Sequence, residues 1–416
     1  MSNYLRWNYR RHMQLQPSPG IQSQFHSGKR CLLYIHVPFC ESLCPFCSFH
    51  RVKLNHQLAR RYFEALRQEI HFYHNAGFEF SDVYVGGGTP TVLPEQLTET
   101  LDLVRRLFEV NHISVETNPN HLHQELFDQL QRAGVNRLSV GVQSLEDSLL
   151  MEMERYQPYG SAGEILKRLK LTQGQFDTFN VDMIFNFPHQ AMDSLIKGIE
   201  LLKEIEVDQI TLYPLMPAIT TQKAMSKQIG MVEFEREPRM YKEIWETLKP
   251  EYQPDTAWSF ARYPVAAIDE YIVDHDEYVG IGSGSFSYLD GVIYSNSFSI
   301  NRYIELTKQA RSGVMASHQL TLSEQVKYAF LLKLFGLSMN KAKMQRKFGD
   351  AYQRLLHKEL KFFKWLGVID ETSDEYRLSQ EGMYYWVMMM REFFIGVNNL
   401  RMQMGTQLGE KRLGRN

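Results

Sequence analysis

Three of the chain's four cysteines fall within eight residues, Cys40-Glu-Ser-Leu-Cys44-Pro-Phe-Cys47. This C-x3-C-x2-C spacing constrains the fold more than any other feature, because three thiolates so close in sequence share one loop. Iron–sulfur clusters are normally held by four cysteines. A triad can hold three irons of a cubane cluster and leave the fourth without a protein ligand. An open iron can chelate a small molecule, much as a catalytic metal site keeps one position free. Structural zinc is the competing reading and needs four Cys or His ligands. Cys31, His36 and His50 are available in sequence, but Cys31 lies nine residues before Cys40. It precedes an apolar run that reads as a strand and suits a small buried apolar role. A disulfide fits neither the chain's length nor its polar N-terminus, Met-Ser-Asn-Tyr-Leu-Arg-Trp, which reads as no secretion signal.

Around this loop the chain alternates strand and helix. The expected strands are 32–37, 82–88, 113–118, 137–143, 180–186 and 209–215, apolar and β-branched as buried parallel strands are. Amphipathic helices are expected over 61–73, 94–108, 123–133, 161–171 and 192–205. Pro94 sits at a helix start and Gly134 at a helix end. Eight such units would close a barrel, so six predict an open partial (β/α)6 TIM-type barrel over residues 31–220. In parallel barrels functional residues collect at strand C-termini. The cysteine loop, Gly86-Gly-Gly-Thr-Pro-Thr91, Glu116 and Gln143 all fall there. Beyond lie a helical stretch over 220–260 and a second glycine-rich string, Tyr278-Val-Gly-Ile-Gly-Ser-Gly-Ser-Phe-Ser287. The span 221–317 is expected to be a linker that completes the site. Residues 318–416 read as a helical, winged-helix-like domain with a hairpin near 367–379. Its Trp386-Val-Met-Met-Met390 stretch reads as core. Residues 1–30, with Arg6, Arg10, Arg11, Lys29 and Arg30, read as a solvated N-terminal arm or a lid.

At 416 residues the chain can hold one large domain and a smaller one. With 44% hydrophobic and 23% charged residues it is an ordinary globular composition. A net charge of −2 favours no nucleic-acid partner. No apolar run approaches the roughly 18 residues of a membrane span. Reduced cysteines point to the cytoplasm.

Tyr34-Ile-His-Val-Pro-Phe-Cys40, with the cysteines that follow, resembles the cluster loop of radical S-adenosylmethionine (SAM) enzymes. Within them it is similar to the branch of oxygen-independent coproporphyrinogen III oxidase. The resemblance implies a 4Fe-4S cluster on Cys40, Cys44 and Cys47, with the fourth iron chelated by SAM. Such a cluster cleaves SAM to methionine and a 5′-deoxyadenosyl radical. The resemblance also implies the open barrel and one or two SAM molecules. It places Tyr34 in the cofactor-binding motif and Phe46 near adenine. Gly87, Gly88 and Thr89 would hold the methionine amino group. Glu116 would meet a ribose or ammonium group, and Gln143 would stand in the family's Gly-Val-Gln. Arg155 would face the SAM carboxylate, although Met-Glu-Arg-Tyr departs from the commoner Gly-Arg-x-His. Asp182 would take the SAM hydroxyls. Pro214 and Phe286 would lie against the adenosine. The implied substrate is a porphyrin or haem-like tetrapyrrole, with flavodoxin or ferredoxin as electron donor. Oxidative decarboxylation is one implied reaction. Haem chaperones, class C methyltransferases and haem-ring-opening enzymes share the same motifs.

Overall fold

The computed structural model describes residues 15–18, 20–21, 30–217, 225–227, 229–264 and 271–407. Arg6, Arg10, Arg11 and Lys29 of the expected arm lie outside the described residues.

Six parallel strands form the centre: β1 (Arg30–Val37), β2 (Glu79–Gly87), β3 (His112–Thr117), β4 (Arg137–Gln143), β5 (Thr178–Phe185) and β6 (Gln209–Pro214). They neighbour one another in sequence order, every pair parallel. Helices between successive strands cover the outer face: α1 (His56–Asn75), α2 (Pro94–Leu107), α3 (Gln124–Arg132), α4 (Ala162–Thr172) and α5 (Met192–Glu204). Their starts are written locally. The Asn55 side chain accepts from Leu58 N at the head of α1, and Ser161 with Glu164 makes a capping box on α4. Tyr62, Phe63, Leu66, Ile70 and Tyr73 of α1 are wholly buried against the sheet.

The sheet stays open and continues at both edges. β7 (Ser259–Ala261) pairs antiparallel with β6. On the other side β8 (Tyr278–Ile281) runs parallel to β1. The antiparallel strands β9 (Phe286–Leu289), β10 (Val292–Asn296) and β11 (Val314–Gln319) follow. With two short outer strands the sheet has thirteen strands. This corrects two expectations. Among the described residues of 220–260, helix is confined to α6 (Glu237–Leu248) and the short turn 225–227, and residues 253–254 and 259–261 are strands. Trp258 is wholly buried there, 5.3 Å from the Tyr213 ring and 4.7 Å from the Phe335 ring. The described part of 221–317 is thus no simple linker, because it widens the barrel sheet. Glycine makes the β8–β9 turn possible: a Cβ on Gly280 would stand 2.1 Å from the Phe286 carbonyl oxygen.

The C-terminal part comprises α7 (Ile300–Lys308), α8 (Leu322–Phe335), β12 (Ser338–Asn340), α9 (Lys341–Phe348), α10 (Ala351–Trp365), β13 (Ile369–Glu371), β14 (Glu375–Leu378) and α11 (Gln380–Gln407). From α8 to β14 the order and the β12-β14-β13 sheet are those of a winged helix. Trp386, Val387 and Met390 of α11 are buried, with the Trp386 ring 5.6 Å from Phe330 and 5.1 Å from Phe363. That stretch is core, as its composition indicated. Among the described residues no helix is long and apolar enough to cross a membrane.

Candidate functional site

The cysteine loop leaves the C-terminal end of β1. Short strands Phe39–Cys40 and Val52–Lys53 pair in parallel and close its neck. Cys40 and Cys44 are buried and Cys47 half-buried. Burial, with the charge of Cys47 next, pushes the Cys40 thiol up to about 12. Cys31 lies at the other end of β1, where its Sγ donates to Glu79 O at 3.9 Å. It is therefore no fourth ligand. The His36 ring is wholly buried and uses both nitrogens, Nδ1 with Tyr34 OH and Nε2 with His50 O, each at 2.9 Å. His50 Nε2 meets Ser283 Oγ at 3.1 Å. Among the described residues no three His, Cys, Asp or Glu side chains form a single-ion site. A cubane places its thiolates on separate irons. Three cysteines on one loop, with no fourth donor among the described residues, fit that chemistry better than zinc.

The strand ends next to the loop carry the other candidates. Gly88 N donates to Val37 O and Thr89 N to Phe39 O, both at 2.8 Å, so the glycine turn lies directly on the loop's first residues. Gly87 has φ +118°, and a Cβ there would stand 2.6 Å from the His36 ring. Glu116 accepts from Gly87 N at 3.0 Å and from Tyr84 OH at 2.9 Å. Gln143 has φ +74° where the β4–β5 register shifts. Such bulges re-aim side chains near active sites. Asp182 accepts from Ser139 Oγ at 2.9 Å and Asn180 Nδ2 at 2.8 Å. Buried strands open at these positions: β5 is buried throughout except at Asp182, and β6 except at Tyr213.

Arg155 joins the parts. Its guanidinium reaches Cys44 Sγ at 3.3 Å, Asn118 Oδ1 at 2.9 Å and the Gly141 carbonyl, and lies 4.1 Å over the Tyr159 ring. Asn118 Nδ2 donates in turn to Thr89 Oγ1 at 2.7 Å. Arg155 is 4% exposed, yet its Nε is buried without a partner. An unsatisfied buried donor is costly, and a carboxylate would satisfy it.

Phe46 packs edge-on to Phe187 at 5.9 Å, in an apolar cluster with Leu149, Ile184 and Leu215. Pro214 is buried at the end of β6, and the half-open residue there is Tyr213. Phe286 stands apart in β9, 6.3 Å from Phe298, whose ring is 5.5 Å from His50. The structure thus draws together the cysteines, Gly87, Gly88, Thr89, Glu116 and Arg155. It adds Asn118, Tyr84, Tyr213 and Arg51. Asn118 lies two residues past Glu116, at the end of the expected strand 113–118, and none of the four stood among the sequence candidates.

Residues 34–223 match the radical SAM superfamily. The haem chaperone HemW of Bacillus subtilis is 27% identical over 364 residues, which span 84% of this chain and 95% of that protein. The oxygen-independent coproporphyrinogen III oxidase of Escherichia coli is 32% identical over 190 residues, 44% of this chain and 41% of that one. The solved structure of coproporphyrinogen III oxidase (HemN) from Escherichia coli shares the fold with a TM-score of 0.73 at 21% identity, covering 88% of this chain and 90% of its own. The radical SAM match thus covers a little under half of the chain and includes the cysteine loop. The chain is similar to haem chaperones over most of their length and to oxygen-independent coproporphyrinogen III oxidases over less than half of theirs.

Proposed function

We propose that the chain is a haem-handling radical SAM protein of the chaperone kind. It holds a 4Fe-4S cluster on Cys40, Cys44 and Cys47, takes SAM beside it, and binds haem or a related tetrapyrrole at the barrel mouth. The observation that carries the chaperone reading is extent: the likeness to HemW runs over 95% of that protein, and the likeness to the oxidase over 41% of its length. Turnover of a porphyrin is the second reading. It is favoured by Glu116, Gln143 and Asp182 sitting half-open toward the C-terminal ends of largely buried strands.

When bound, the cluster supplies the electron that cleaves SAM. The chain's own residues orient the nucleoside. Arg155 offers its unpartnered Nε to the carboxylate. Glu116 beside Gly87 suits the ammonium, and Asp182, steadied by Ser139 and Asn180, suits ribose hydroxyls. Phe46 and Phe187 give adenine an apolar edge. Flavodoxin or ferredoxin is the fitting donor class, in a reducing, cytoplasmic setting.

The test is anaerobic reconstitution followed by addition of haem. We expect about four irons per chain and a Soret band that survives gel filtration. A chain that purifies with one zinc and no iron overturns the cluster reading. A loaded chain that retains no haem but releases carbon dioxide from coproporphyrinogen III overturns the chaperone reading in favour of the oxidase.

A further inference from the structure

Arg51 follows the last cysteine by four residues and belongs to no motif. The structure folds it back beneath the loop. Its guanidinium donates to the carbonyls of Cys44 and Cys47, the latter at 3.2 Å. Its charge also acts on the Cys47 and Cys44 side chains. Its Nε is buried with no partner. Arg155 stands on another side of the triad, 3.3 Å from Cys44 Sγ, so two guanidiniums flank three cysteines. Their surroundings differ. Arg155 also reaches Asn118 and the half-open Gly141, where a SAM carboxylate would take up its charge. The hydrogen bonds of Arg51 to Cys44 and Cys47 instead stay within the cysteine loop.

We propose that Arg51 is a positioning residue that raises the reduction potential of the cluster carried by that loop. This rests on the cluster reading above. Reduction by a low-potential one-electron donor adds one negative charge to a centre that already has three thiolates, and no bond or proton changes at Arg51. A cation in a partly desolvated site favours the more negative state. Hydrogen bonds and net charge around the sulfurs are among the terms that set cluster potentials.

The experiment compares the reconstituted full chain with Arg51→Gln, Arg51→Lys and, as a control, Lys53→Gln. Lys53 is exposed and two residues away, so solvent screens its charge. Iron and sulfide content is measured first. The midpoint of the one-electron couple is then followed by electron paramagnetic resonance in a dye-mediated titration without SAM. Arg51→Gln should lower the reduction equilibrium at least tenfold, a shift of about 59 mV to more negative potential. Arg51→Lys should recover most of that shift, and Lys53→Gln should show none. A loaded Arg51→Gln with an unmoved midpoint overturns this inference alone. If the Gln variant takes up no cluster, the Lys variant decides: restored loading near the parental midpoint supports a charge role, and failed loading overturns it. A parental chain that binds no iron overturns the cluster reading and this inference with it.

Discussion

The His36 ring is the residue around which the site is laid out. It is held between Tyr34 OH and His50 O, and Gly87 presses against it. Gly87→Ala should therefore fail twice. The backbone at φ +118° is one that L side chains rarely adopt, and the new methyl would meet the ring at 2.6 Å. Strained φ/ψ alone costs about 1–3 kcal/mol. We expect a lower melting temperature and weaker SAM binding by calorimetry; a variant as stable as the parent would sink this account of the turn. Cys44→Ala should abolish the brown iron–sulfur absorbance and SAM cleavage together, and Cys31→Ala should leave both, since Cys31 sits at the far end of β1. At this scale the sequence was informative where chemistry is consecutive. Cys40, Gly87 and Glu116 announce themselves by spacing and strand position. Arg51, Tyr84 and Tyr213 do not, because each meets a partner brought by the fold: a loop carbonyl, a carboxylate 32 positions on, and the Trp258 ring.

Elements differ in how far their residues declare them. The six barrel strands were legible because each is a short apolar run followed by an amphipathic helix of ordinary length. The 253–261 strands were not, since short apolar stretches do not separate strand from helix and Trp258 is placed by Tyr213 and Phe335, far away in sequence. The second glycine string was expected within a linker and proves to be a strand pair, because its partner β1 lies more than 240 positions earlier. The winged-helix hairpin is anchored locally and makes a pH-dependent contribution. Lys341 and then Lys364, each at 2.7 Å, hold the Glu371 carboxyl down at about 2. A carboxyl depressed in the folded state stabilises above its unfolded value of about 4.3. That contribution is lost as pH falls from there toward about 2. The group is largely exposed, so the effect is below about 1 kcal/mol. Glu371→Gln should melt slightly lower than the parent at pH 7, and the gap should close near pH 2.5. A gap that widens on acidification would contradict the assignment.

On the scale of the molecule, α11 ties the winged-helix part to the barrel. Trp386 is rooted in the helical core, Phe394 lies 5.9 Å from Trp258, and Asn398 Nδ2 donates to Ser48 Oγ at 2.7 Å, one residue past Cys47. Midway, Arg391 pairs with Glu237 and with Glu392, all three at most 4% exposed. Glu237 also accepts from Asn186 at the end of β5 and from Tyr384. A buried ion pair need not stabilise on balance, but removing one partner leaves an uncompensated charge and costs about 3–5 kcal/mol. Arg391→Met should pay that in chemical denaturation, and Arg391→Met with Glu237→Gln should recover part of it. If the pair seats α11 on the barrel, a second signature follows. The reconstituted Arg391→Met chain should bleach faster in air than the parent, because the helix segment that reaches Ser48 is held to the barrel just upstream by this pair. The double variant should regain part of the stability before it regains protection, since it removes one of the two buried carboxylate charges without restoring the tether. Equal bleaching rates in parent and Arg391→Met, at a temperature where both stay folded, would show that α11 supports the barrel without shielding the cysteine loop.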